Sequence, residues 1–435
     1  MADDASPLTA RQWQRSDGLG AWRVLGEGAA AWFTTPSHRD GAALAARAAD
    51  LAEQADRTLD ADVRAAGVRV RLPTSQDDGL TAVDVELARA ISATAADRGF
   101  TADPGVLQDL QVAVDALDRA VVAPFWARVL GYRPAGDQVL ADPLRRNAAI
   151  WFQGQDAARP LRNRLHVDAV TTAERAREVL AEMPGLGASA VANHGYYATV
   201  ADAEGNEVDL LPLVDGADRW EGAATEDWRL VFSALACYRV EGAAQAGRVA
   251  EAAAALADRA GLPLGIDLRP GLVVLDTGKD RWETDEGYEQ LAAQVQVAAR
   301  DLGAVADVAL PRFHQVVIDA VDIPAVRRFW QVVLGYAEDP REGVTDLVNP
   351  HQLTMPVVLQ DLEADDTARR AQRNRIHLDL FVPDDQLEQR LAAALAAGGT
   401  VVRDASPTWW TIADPEGNEV DLTTSVGWDE VGGGQ

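Results

Sequence analysis

The chain repeats itself, so whatever it folds into is built twice. Val114-Asp-Ala-Leu-Asp118, followed by Phe125-Trp126 and Leu130-Gly-Tyr132, returns as Ile318-Asp-Ala-Val-Asp322, Phe329-Trp330 and Leu334-Gly-Tyr336 at constant spacing. Arg162-Asn-Arg-Leu-His-Val-Asp168 returns as Arg373-Asn-Arg-Ile-His-Leu-Asp379. Asp202-Ala-Glu-Gly-Asn-Glu-Val-Asp-Leu210 returns as Asp414-Pro-Glu-Gly-Asn-Glu-Val-Asp-Leu422, with small loop insertions between the later blocks. A fainter match lies upstream of each copy, where a helical stretch from Ala46, the alternating run Val68-Arg-Val-Arg-Leu72 and a helix from Val85 are echoed at Val249, Leu272-Val-Val-Leu275 and Leu291. The fold class expected is α+β, in four modules at residues 1–105, 106–220, 221–309 and 310–430. The polar, glycine-containing stretch from Val214 to Glu226 is the expected linker between halves.

Charge and cysteine use narrow the function classes. A formal net charge of -28 disfavours nucleic acid as a partner, because a phosphate backbone is held by clustered Lys and Arg that release counterions. Lys279 is the single lysine, a bias read as compositional. The lone Cys237 rules out an intramolecular disulfide and a thiolate metal cluster; its apolar setting predicts a buried, inert thiol. No apolar run reaches membrane-spanning length and the start lacks a basic and an apolar signal region, so a cytoplasmic protein without membrane contact is expected.

The passage Val68-Arg-Val-Arg-Leu-Pro-Thr-Ser-Gln-Asp-Asp-Gly-Leu-Thr81, with Thr81 as N-cap of the helix that follows, resembles the pterin-4a-carbinolamine dehydratases. Their pattern is a His-His-Pro-Asp turn, a strand, a Thr-His-Asp turn and then Gly-Leu-Thr. The resemblance covers residues 8–104 and, more weakly, 228–308. It implies imidazoles that donate and accept protons during dehydration. Here the first motif reads Leu59-Asp-Ala-Asp62 and the second Thr74-Ser75, and the later copy has Leu262-Pro-Leu-Gly265 and Gly278. Asp60, Asp62 and Asp77 are poor substitutes if exposed, since a free carboxylate titrates near pH 4. Activity as a 4a-hydroxytetrahydrobiopterin dehydratase is a reading these substitutions oppose.

The later modules, an apolar strand followed by a Phe-Trp helix and Leu-Gly-Tyr, resemble the vicinal-oxygen-chelate superfamily of glyoxalases and bleomycin-resistance proteins. The resemblance implies paired βαβββ units around a cavity, with ligands from their first and last strands. Carried over, it puts candidate metal ligands at Gln111, His166 and Glu207 in one module and at Gln315, His377 and Glu419 in the other. A fourth position falls on Gln153 and Gln360. Glu207 and Glu419 are the expected catalytic bases, a divalent Zn, Ni or Mn the expected cofactor, and a small, aromatic molecule the expected partner. Tyr197, Trp409 and Trp410 would stack on it. Each module is expected to hold its own three ligands around its own cavity. His314, beside Gln315, offers an alternative: with His377 and Glu419 it would make the two-His-one-carboxylate set of Fe(II) dioxygenases, although spacing favours Gln315. The competing functions are a metal-dependent lyase or isomerase and a non-catalytic protein that sequesters its ligand.

Overall fold

The computed structural model describes residues 6–74, 79–155 and 157–429. Ser75 and Asp77 lie outside them. The four modules pair into two compact units, one of residues 1–107 and 218–311, the other of residues 108–217 and 312–435.

In the first unit both copies follow one plan. Strands Trp22–Leu25, Gly28–Thr34, Asp60–Arg64 and Gly67–Pro73 with helices His38–Gln54 and Ala82–Asp97 are matched by strands Trp228–Val231, Ser233–Arg239, Gly265–Arg269 and Leu272–Asp276 with helices Gly242–Ala260 and Tyr288–Asp301. Antiparallel pairing of Asp60–Arg64 with Gly265–Arg269 joins the copies into one ten-stranded sheet. Ala42, Ala45 and Ala48 on one long helix and Ala246, Ala250 and Ala253 on its counterpart are buried in one apolar core. Their small side chains allow close approach: a Cβ at Gly247 would stand 2.8 Å from that of Ala46. Thr81 caps its helix as expected, in a reciprocal box with Asp84.

The second unit has strands β1 (Asp109–Ala116), β2 (Ile150–Gly154), β3 (Leu165–Val170), β4 (Ala198–Ala201) and β5 (Glu207–Leu211), with helices α1 (Arg119–Leu130) and α2 (Ala173–Glu182). The second copy supplies β6 (Phe313–Ala320), α3 (Ile323–Leu334), β7 (Val357–Asp361), β8 (Ile376–Phe381), α4 (Leu387–Ala396), β9 (Trp409–Ala413) and β10 (Glu419–Thr423). Two eight-stranded sheets result, and neither belongs to one copy: β4, β5 and β3 continue into β6 and β7, while β9, β10 and β8 continue into β1 and β2. Val112 and Val114 of β1 share a core with Phe125 and Trp126 of α1. Strand alternation therefore turns Gln111, Ala113 and Asp115 to the opposite face.

Several repeated motifs build this scaffold. Trp126 and Trp330 donate their indole N–H to Asp202 and Asp414, each at 2.9 Å. Glu204 and Glu416 accept the backbone N–H groups that open α1 and α3. Gly205 and Gly417 hold φ of 83° and 85° in these turns, a conformation an L side chain resists. Arg164 and Arg375, both buried, cross between copies. Arg164 donates to Asn418 Oδ1 (3.0 Å) and the carbonyl of Gly417 (3.1 Å). Arg375 donates to Asn206 Oδ1 (2.9 Å) and the carbonyl of Gly205 (2.8 Å).

Candidate functional site

On the face of each sheet away from the helices, one histidine meets two aspartates. His377 Nε2 lies 3.5 Å from Asp379 Oδ1 and 3.9 Å from Asp421 Oδ2; His166 Nε2 lies 3.6 Å from Asp168 Oδ1 and 3.8 Å from Asp209 Oδ2. In each trio the potential ligand atoms all fall within 4.8 Å of one another. Strand register explains the convergence. Asp379 of β8 stands beside Asp421 of β10 in a parallel pair, His377 is two residues back on the same face, and β3 and β5 repeat this with Asp168 and Asp209.

The other wall comes from the opposite copy. Gln111 of β1 is paired with Asp379, and Gln315 of β6 with Asp168. The expectation that Gln111, His166 and Glu207 surround one point, and Gln315, His377 and Glu419 another, is therefore corrected: each first strand pairs with the later half of the other copy. Gln153 donates to Asp115 Oδ1 at 2.5 Å, and its Nε2 lies 3.3 Å from His377 Nε2. Gln360 donates likewise to Asp319 at 2.6 Å. Arg159 and Arg369 donate to the second oxygens of Asp115 and Asp319.

Glu207 and Glu419 do not join the trios. Each is two residues before the aspartate that does and is bound by an arginine: Arg373 donates to Glu419 at 2.9 and 2.6 Å, and Arg162 to Glu207. Trp410 faces the apolar core, which corrects its assignment as a stacking residue. Trp409 lies on the site face but is already stacked on Trp428, with centroids 5.3 Å apart, and has the Arg403 guanidinium 5.0 Å above its ring. Tyr197 stacks on His194 at 4.5 Å. His314 points away from the site and is buried beside Tyr132, 3.2 Å from its hydroxyl; burial pushes its pKa down to about 3. That removes the dioxygenase-type set and leaves Gln315 facing the site. The missed residues Asp168, Asp209, Asp379 and Asp421 had a signal, the His-x-Asp and Glu-x-Asp alternation that keeps both members on one strand face.

The electrostatics of the His377 trio disfavour two ionised carboxylates left unpartnered. Burial pushes the Asp379 carboxyl up to about 7 against the pull of His377, with a further push from the charge of Asp421, and burial raises Asp421 as well. Asp379 Oδ1 and Asp421 Oδ1 are buried without a hydrogen-bond donor, as is Gln315 Oε1 at the other trio. Unpartnered buried carboxylate oxygens are unfavourable unless a cation or proton meets them. One imidazole and two carboxylates suit Zn, Mn or Ni, so the residues fit a divalent ion.

In the first unit the positions expected to matter for dehydration are spoken for. Asp62 accepts from Arg69 Nε (2.7 Å) and Arg269 Nη2 (2.5 Å), and Asp60 from Arg71 (3.2 Å), all carboxylates buried rather than exposed. Burial alone would raise Asp62, but the guanidiniums of Arg269, Arg69, Arg71 and Arg64 hold it well below the usual carboxylate range. His38 is engaged at both ring nitrogens, by Asp258 (2.8 Å) and by the backbone N–H of Leu264 (3.2 Å).

Residues 111–211 and 315–423 match the family profile described as a glyoxalase-like domain. The second unit is a pair of glyoxalase-like domains. Residues 6–94 match the profile of pterin 4 alpha carbinolamine dehydratase. Comparison with curated proteins finds no match. Among solved structures, glyoxalase I from Zea mays is 10% identical with a TM-score of 0.38, over 74% of this chain and 95% of that one. A mutant of the same enzyme gives 9% and 0.40, over 74% and 96%. The cppA protein from Streptococcus pneumoniae gives 8% and 0.30, over 73% and 97%. Among the described residues no helix is long and apolar enough to cross a membrane.

Proposed function

We propose that the glyoxalase-like unit binds a divalent cation at each of two sites, His166–Asp168–Asp209 and His377–Asp379–Asp421, and acts there on a small molecule as a lyase or isomerase. The observation that carries the reading is that Asp379 Oδ1, 3.5 Å from His377 Nε2, and Asp421 Oδ1 are buried oxygens without a donor, with Asp421 Oδ2 3.9 Å from the same imidazole nitrogen. A bound divalent ion supplies polarisation of a substrate oxygen. The imidazole and the two carboxylates hold the ion. Glu207 and Glu419, next along the same face, are the proton acceptors the reading assigns. A second reading, binding without chemistry, draws on the Arg162–Glu207 and Arg373–Glu419 pairs, because each guanidinium occupies the carboxylate that a substrate proton would have to reach.

Metal content after equilibration with Mn, Ni or Zn tests the proposal. Wild type is expected to retain two ions per chain, His166→Ala and His377→Ala one each, and the double variant none. Wild type that retains none overturns it. With metal bound, loss of turnover in Glu207→Gln and Glu419→Gln supports chemistry, whereas ligand binding without turnover in wild type supports sequestration.

A further inference from the structure

The two sites are made of twin residues, yet they hold their central aspartates differently. At the His166 site Asp168 Oδ2 accepts the amide of Gln315 (2.7 Å), its direct neighbour across the β3–β6 pair. At the His377 site the same register sets Gln111 opposite Asp379, but the side chain of Gln111 makes no hydrogen bond among the described residues. Asp379 Oδ2 instead accepts the indole N–H of Trp151 (2.5 Å), which comes from β2, one strand further away.

The reach of that indole depends on what lies beneath it. Trp151 is paired with Ala113 on β1, and Ala113 is paired on its other side with His377. The corresponding lane at the other site reads Val358, Val317, His166. Val358 has no donor, and the branched side chain of Val317 stands where the methyl of Ala113 leaves room. A large residue over a small one on one side is matched by two of middle size on the other, a volume-conserving exchange that close-packed faces tolerate. The difference is thus distributed over residues 113, 151, 317 and 358, and it accounts for the different partners of two identical glutamines.

We propose, resting on the cation-binding reading above, that Trp151 is the positioning residue for Asp379 in the His377 site and that Gln111 has no part in that task, which Gln315 performs for Asp168. The two sites are then not interchangeable. The His377 site presents the primary amide of Gln111, without a hydrogen-bond partner among the described residues, to a small molecule with a carbonyl or carboxylate oxygen. The His166 site has its glutamine amide already committed.

Co2+ titration of the full chain, followed by the visible absorption that reports coordination geometry, tests this with one site silenced at a time. In the His166→Ala chain, Trp151→Phe removes only the N–H, and Ala113→Val crowds the indole out of its lane. Each is expected to weaken Co2+ about tenfold and alter the band, the usual effect of losing a residue that orients a ligand. Gln111→Ala should bind within about twofold of its parent. In the His377→Ala chain, Gln315→Ala should weaken Co2+ about tenfold. Adding Val317→Ala and Val358→Trp should restore most of that loss. Circular dichroism checks folding, and if Ala113→Val fails to fold, Trp151→Phe decides. Parent-like binding by Trp151→Phe, or a loss in Gln111→Ala as large as its own, overturns this inference alone. Absence of Co2+ from both parent chains overturns the cation-binding reading and this inference with it.

Discussion

Asp62 receives one guanidinium from its own copy and one from the other, Arg69 and Arg269, in a setting where neither charge reaches water. Removing one partner from such a network leaves an uncompensated buried charge, so Asp62→Asn should destabilise the chain by about 3 kcal/mol at pH 7. The folded pKa of Asp62 lies below the unfolded value of about 3.9. Its contribution is therefore complete above about pH 4 and is lost as pH falls through the folded value. In urea unfolding, the gap between wild type and Asp62→Asn should narrow below pH 4; a gap unchanged from pH 7 to pH 3 would show that the ionised carboxylate is not what matters. The same pairing bears on dehydration. A carboxylate held ionised by arginines cannot donate a proton near neutrality, so decay of a 4a-carbinolamine pterin, followed by absorbance, should run at the uncatalysed rate with the protein present. Acceleration abolished by Asp60→Ala or Asp62→Ala would refute this. Sequence reading went only part of the way at this scale. Period-two alternation places Glu419 and Asp421 on one face but is silent on which of them meets His377; the register sets Asp421 beside Asp379, its Oδ2 3.9 Å from His377 Nε2, while Glu419 is taken by Arg373.

At the scale of elements, most repeated motifs turn out to hold strands and helices in place. The Phe-Trp helix, the Asp-x-Glu-Gly-Asn turn and the Asn-Arg pair were legible as repeats, and the α+β class followed from them. What they bind was not legible, because Arg164 reaches residues 417 and 418 and Arg375 reaches residues 205 and 206, contacts far apart in sequence. Arg164→Met keeps most of the volume but strands several buried acceptors, among them the carbonyls of Gln372 and Arg369 at 2.8 and 2.9 Å. It should lower stability by about 3 kcal/mol or more, since each bond from a charged donor contributes about 1.5–3 kcal/mol and the site cannot rehydrate. Surface arginines such as Arg175 should cost under about 0.5 kcal/mol on the same change, measured by chemical denaturation. Similar losses for both would contradict the structural role of Arg164 between the copies.

For the whole molecule, the exchange of sheet halves means that the covalent copy and the structural module are different objects. Local pattern cannot reveal this. Gln111 and Gln315, Asp115 and Asp319, and His166 and His377 are identical pairs, so a first half satisfies the later half of its own copy as well as that of the other. The sheets choose the second arrangement, β1 with β8 and β3 with β6. A chain ending at residue 217 would then carry β1 and β3 with neither partner, two central strands turned into edges. Exposed edges of that kind pair with whatever complementary strand is present. A second identical fragment offers the matching residues, Gln111 and Asp115 on one strand and His166 and Asp168 on another. Residues 1–217 expressed alone should therefore form a symmetric homodimer with two equal sites, in which each first strand lies against the third strand of its partner. Sedimentation equilibrium gives the mass. A stable, folded monomer would show that one copy closes on itself and would sink the exchanged arrangement.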